Sequence, residues 1–186
     1  MIRLLDLILS ILGIILLSPL MLIILFLSIS QNGSPIYIQD RLGRKMKIFK
    51  IIKFRTMRIE TPSMPTHKIS SQSITHTGKI LRKFKLDEIP QLFNVLVGQM
   101  SFVGPRPCLE SQQELINLRK EVGLYNFRPG ITGLAQIKRI DMSNPQLLVK
   151  YEIEMMKVMN PYNYFKYIIY TLIGYGVGDN HKNKEI

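Results

Sequence analysis

The chain has 186 residues and a mass of 21.5 kDa, enough for one compact domain and an appendage. Its 25 Lys and Arg against 13 Asp and Glu give a net charge of +12, which calls for an anionic partner: nucleic acid, lipid headgroup or phosphorylated substrate. A single cysteine, Cys108, excludes an intrachain disulfide framework, and three histidines without a CxxC argue against a zinc site.

The first thirty residues, "LLDLILSILGIILLSPLMLIILFLSIS" at their heart, are long and apolar enough to cross a bilayer. A cleaved signal peptide fits poorly, because only Arg3 is basic ahead of the run, Asp6 interrupts it and no A-x-A site follows. Ser18-Pro19 stands mid-run. Proline removes a backbone hydrogen bond there, and the Ser18 hydroxyl can satisfy a freed carbonyl. Two half-helices of roughly 15 residues reach about 22 Å each, short of a core of about 30 Å. The residues alone leave two readings open, a kinked span and a re-entrant hairpin. Either places the strongly basic remainder in the cytoplasm.

After "SQNGSP", the segments "IYIQDRLG" and "MKIFKIIKFRTM" predict two short strands in a hairpin carrying eight Lys or Arg between Arg41 and Arg58. A face against anionic lipid accounts for most of these charges. It accounts less well for Arg55, flanked by Phe54 and Met57. Residues 60–77 are Ser-, Thr- and Pro-rich and predict a loop, either a mobile lid or an insertion. "GKILRKFKLDEIPQLFNVLVG" follows with helical spacing of its apolar residues, interrupted by Pro90. Asp87 and Glu88 thus fall at a helix boundary.

That pair is out of place. From Arg41 to Arg106 there are fourteen Lys or Arg, and the only acids are Glu60, Asp87 and Glu88. Two adjacent acids among so many cations suggest that an anion or a metal completes a site. "GPRP" holds Arg106 between two prolines and "FRPGITG" sets Arg128 beside a rigid turn, which lowers the entropy of holding each guanidinium. Two such arginines beside the acidic pair favour anion binding. "NPYNYFKYIIYTLIGYGVG" predicts a helix at a headgroup boundary, and the last eight residues, 179–186, a disordered tail. There is no Walker A, no GxGxxG and no internal repeat.

Taken together, Ser18-Pro19, "IYIQDRLG", "FKIIKFRTM", "TGKILRKFKLDEIPQLFNVL", "MSFVGPRP" and "RPGITGLAQ" resemble the bacterial sugar transferases, small monotopic phosphoglycosyl transferases acting on polyprenyl phosphate. The resemblance implies transfer of a sugar-1-phosphate from a UDP-sugar to undecaprenyl phosphate, with release of UMP and a need for Mg²⁺. It implies Asp87 as nucleophile and Glu88 as metal ligand or base, both near the metal. It also implies Arg55, Arg82, Arg106 and Arg128 as phosphate contacts. The N-terminal helix becomes re-entrant, broken at Ser18-Pro19, on the cytoplasmic face of a bacterial inner membrane. The implied fold is mainly helical α+β: a re-entrant helix-break-helix over 1–30, then a catalytic domain over 31–178. That domain combines a short basic hairpin with interfacial amphipathic helices around the active site, against anionic lipids. Many relatives continue "GWAQVNGR" where this chain has "GLAQIKRIDMS", so the sugar-recognising region differs. Relatives also carry an Asp in the next helix, where "KYEIEMM" offers Glu152 or Glu154. Two other classes compete: a membrane-anchored nucleic-acid binder, which leaves the acids unexplained, and a phosphohydrolase using Asp87 with water as acceptor. The resemblance favours neither, and nucleic acid is not expected as a partner.

Overall fold

A helix of 31 residues, α1 (Ile2–Asn32), opens the computed structural model, which describes residues 1–61 and 73–174. It ends at Gly33, whose φ of 67° is the left-handed cap that glycine supplies most readily. Pro19 lies inside α1. The expected helix-break-helix is therefore one helix with a hydrogen bond missing. The Ser18 hydroxyl donates to the Ile15 carbonyl at 2.9 Å, the group that a prolyl nitrogen four residues on cannot serve.

A helix of this length is about 46 Å long if straight, and both of its halves lie against the body of the protein. Ile2, Leu5 and Leu9 pack on Val103, Tyr164 and Tyr167. Leu20, Met21, Ile24 and Leu25 pack with Phe54, Leu81 and Leu86. The remaining faces carry exposed Ile8, Leu12, Ile15, Leu16, Ile23 and Phe26. Asp6 is buried within this apolar helix. One of its oxygens accepts from the Ser101 hydroxyl (2.8 Å), the Phe102 amide (3.1 Å) and the Tyr164 hydroxyl (2.7 Å). Arg3 caps the carbonyls of Val95 and Leu96.

The predicted hairpin is present: β1 (Ile36–Leu42) pairs antiparallel with β2 (Ile48–Phe54). Residues directly opposite share a face, so Tyr37, Gln39, Arg41, Phe49, Ile51 and Lys53 lie on one side. That side turns inward at Gln39, Phe49 and Ile51.

The amphipathic stretch divides as Pro90 demands. α2 (His76–Lys83) starts at Thr75, whose hydroxyl accepts from the Gly78 amide, and α3 (Gln91–Leu96) starts directly after Pro90. Between them Leu86–Glu88 form a single 3₁₀ turn. A second, parallel sheet joins β3 (Ser101–Val103) to β4 (Gly130–Thr132), bringing "SFVGPRP" beside "RPGITG". The approach requires glycine: a Cβ on Gly130 would sit 2.1 Å from the Gly104 nitrogen, and one on Gly104 2.4 Å from the Arg128 carbonyl.

α4 (Gln113–Glu121), α5 (Leu134–Ile137), α6 (Pro145–Lys157) and α7 (Pro161–Leu172) complete the chain. α6 and α7 both begin Asn-Pro, the Asn side chain capping and the Pro at the first helical position. α7 buries Tyr164 and Tyr167 while Ile169 and Leu172 stay exposed. The expected 60–77 loop falls largely on 62–72, outside the described residues, as does the tail. Its neck is closed by a bridge between Met57 and Ile74 and by the Arg58 amide donating to the Ser73 carbonyl.

Candidate active site

The turn that carries the acids is built by its neighbours. Lys85 adopts a left-handed conformation (φ 55°), which turns the chain out of α2 into the 3₁₀ turn. On the far side Asn94, buried on α3, accepts from the Ile52 amide at 3.1 Å and donates to the Lys50 carbonyl at 2.7 Å. This clamp holds α3 on β2 and so sets Lys53 against the acidic pair. Lys53 Nζ meets Glu88 Oε1 at 2.6 Å, with both side chains about one-fifth exposed.

The two acids are placed differently. Burial pushes the Asp87 carboxyl up to about 6, the charge of Glu88 adds to this, and Lys53 and Arg82 pull the other way. Burial would raise Glu88 too, but Lys53, through its charge and hydrogen bond, and Arg106 hold it down to about 2. Glu88 therefore stays ionised, and Asp87 is the member of the pair that takes up a proton first.

The cations come from three segments. Arg82, on the last turn of α2, donates to the Thr56 hydroxyl at 3.0 Å and acts on Asp87. Arg106, from the "GPRP" loop, acts on Glu88. Arg41, from β1, reaches across to the Pro107 carbonyl (3.2 Å) and the Gln39 side chain (2.6 Å). Burial first, and then the nearby charge of Arg106, lower the Arg41 guanidinium to about 10. Two arginines crowd one spot, an arrangement that an anion between them would relieve.

Of the residues singled out from sequence, Asp87, Glu88, Arg82 and Arg106 thus converge. Arg55 is engaged elsewhere: it donates to the carbonyls of Ser34 and Ile36 and lies over the Tyr37 ring. Arg128 donates to the Gly98 carbonyl at 2.8 Å, just past α3, with Arg3, Arg44 and Asp6 as its charged neighbours. Sequence reasoning overlooked Lys53 and Arg41, assigning them to a lipid face with the other hairpin charges. Strand parity could have found them, since both share the side of Phe49 and Ile51.

A hard divalent cation fits the acidic pair by its donor chemistry. Asp87 and Glu88 are adjacent and one is held ionised, while no cluster of three or more His, Cys, Asp or Glu occurs among the described residues. Further ligands would be substrate phosphates and water, the set Mg²⁺ prefers.

The chain belongs to the bacterial sugar transferase family, whose sequence model matches residues 1–176. It is 40% identical over 157 residues to the exopolysaccharide production protein ExoY of Sinorhizobium fredii, covering 74% of this chain and 69% of that protein. It is 41% identical over 140 residues to a UDP-glucose:undecaprenyl-phosphate glucose-1-phosphate transferase of Klebsiella pneumoniae, covering 73% of this chain and 30% of the relative. A UDP-N-acetylgalactosamine-undecaprenyl-phosphate N-acetylgalactosaminephosphotransferase of Aeromonas hydrophila is 35% identical over 139 residues, 71% of this chain and 32% of the relative. The chain thus spans about two thirds of the ExoY protein and about a third of the longer relatives.

Proposed function

We propose that the chain transfers a sugar-1-phosphate from a UDP-sugar to undecaprenyl phosphate, releasing UMP, through a covalent intermediate on Asp87. The observation that carries this reading is the grouping at one 3₁₀ turn: Asp87 and Glu88 are adjacent, Lys53 meets Glu88 at 2.6 Å, and Arg82 and Arg106 act on the two carboxylates. The activities for which the Klebsiella and Aeromonas relatives are named support the transfer itself.

In this mechanism an Asp87 carboxylate oxygen attacks the sugar-bearing phosphorus. The bond from that phosphorus to the bridging oxygen breaks, and its electrons leave on UMP. The resulting acyl phosphate is attacked at phosphorus by an oxygen of undecaprenyl phosphate, which frees Asp87 and forms the lipid diphosphate sugar. One transfer becomes two in-line displacements. Arg82, Arg106 and Arg41 hold the diphosphate and stabilise charge developing on the departing UMP. Lys53 keeps Glu88 charged and oriented. When bound by Asp87 and Glu88, Mg²⁺ supplies neutralisation of the substrate phosphates.

The membrane part of the proposal is that both ends of α1 stay on one face, the cytoplasmic face of a bacterial inner membrane, with the helix unbroken at Pro19. Its support is that Asp6 at one end and Ile24 at the other both pack on the same basic body. A helix perpendicular to the bilayer would carry one end about 30 Å away. The exposed apolar side chains of α1 then meet lipid, and the basic hairpin meets anionic headgroups. The site lies where a lipid-borne phosphate can meet a water-soluble nucleotide sugar. Incubating the protein with a UDP-sugar labelled in its sugar, without lipid acceptor, should label the peptide containing Asp87 with stoichiometric UMP. Full transferase activity in Asp87→Asn would overturn the mechanism.

A further inference from the structure

We propose that Glu152, in the middle of α6, is a positioning residue that fixes the backbone of Arg106, and that the buried Arg119–Glu152 pair exists to hold it in that role. The inference rests on the proposed function only in what Arg106 is for.

The "GPRP" loop is held by a hydrogen bond at every position. The Gly104 amide donates to the Thr132 carbonyl, the Pro105 carbonyl accepts from the Gly130 amide, and the Pro107 carbonyl accepts from Arg41. Prolines have no N–H, so Arg106 carries the one amide donor between Pro105 and Pro107. That donor goes to Glu152 Oε1 at 3.2 Å. Here the partner is a side chain from a helix about 45 residues further along the chain, where the neighbouring amide and carbonyl of Gly104 and Pro105 use main chain.

Glu152 is itself immobilised. It is 1% exposed and paired twofold with Arg119, 2% exposed, with Arg119 Nε to Oε2 at 2.8 Å and a second contact to Oε1. Leu115, Ile116, Leu148 and Val149 form the surrounding core. A buried ion pair in such surroundings contributes little net stability compared with an apolar pair of the same volume. What an apolar pair could not do is accept the Arg106 amide at a fixed point. The carboxylate therefore serves the loop above it, and Arg119 serves the carboxylate. Glu154, two residues on, is exposed and has no part in this.

A double-mutant cycle over Glu152→Met, which removes the acceptor that Gln would keep, and Arg106→Ala tests it, with two readouts: UMP release from a UDP-sugar with undecaprenyl phosphate, and affinity for Mg²⁺·UDP. Glu152→Met alone should lower kcat/KM by roughly ten- to a hundred-fold, the usual loss when a group supporting a site residue is removed. Its loss should divide between kcat and KM as that of Arg106→Ala does. In the Arg106→Ala background it should lose less than about twofold, because both act through one guanidinium. Arg119→Met with Glu152→Met restores an apolar core; it should fold and show the same loss. Equal losses in both backgrounds, or full activity in the folded Met/Met variant, would overturn the assignment. So would failure of both variants to fold, which would give the pair to the fold. A wild type that binds Mg²⁺·UDP without releasing UMP would refute the proposed function, and the cycle in UDP affinity would still judge Glu152.

Discussion

Replacing Asp87 with Asn should make the protein more stable while it abolishes transfer. In the folded chain the carboxyl is raised from an ordinary 3.8 to about 6, by burial first and by Glu88 second. The folded state therefore binds the proton more tightly than the unfolded one. Stability is fullest below about pH 4, falls as pH rises towards 6, and is level beyond. At 1.36 kcal/mol per pH unit, the loss above pH 6 amounts to as much as about 3 kcal/mol. An amide of the same size carries no charge and escapes it. For a chain of this size that corresponds to a rise in Tm of up to roughly 6–12 °C at pH 7.5, shrinking towards zero near pH 4. The chain has no tryptophan, so helical circular dichroism in lipid nanodiscs with EDTA is the suitable melt. An Asp87→Asn variant less stable than wild type at pH 7.5, or a gap that ignores pH, would refute the reasoning.

Other outcomes follow from the same geometry. Lys53→Met removes the cation that lowers both carboxyls, so activity should fall roughly ten- to a hundred-fold and the acid limb of kcat/KM should move to higher pH; an unmoved limb would separate Lys53 from the acids. Arg139 sits at φ 59°, a conformation that favours glycine, so Arg139→Gly should stabilise by about 1 kcal/mol in a denaturant melt. Ile2→Cys and Asn32→Cys, each in a Cys108→Ser background, should both resist a membrane-impermeant thiol reagent in intact cells; labelling of residue 2 from outside would mean a conventional span.

Much of this arrangement is legible in the sequence, for physical reasons. The hairpin shows itself by β-branched alternation bounded by glycine. The acids stand at a helix boundary because Pro90 cannot continue a helix from α2. The Ser18 hydroxyl does serve a carbonyl freed by Pro19, although the helix does not break there. The parallel pairing of β3 with β4 is invisible beforehand, because strands of three residues carry no period and their contact depends on two glycines approaching in space. Lys53 and Arg41 look like their basic neighbours until strand parity separates them. Glu152 had a readable signal: with Leu148, Val149 and Met155 it lies on the buried stripe of α6, whereas Glu154 does not. The Asn-Pro starts of α6 and α7 were equally available.

The measurement closest to the central claim is UMP release from a UDP-sugar by the purified protein in nanodiscs, with and without undecaprenyl phosphate, beside Asp87→Asn. The account predicts multiple turnovers only when the lipid phosphate is present, one equivalent of UMP per enzyme without it, and neither in the variant. Sustained UMP release with water as the acceptor, or turnover by Asp87→Asn, would contradict it.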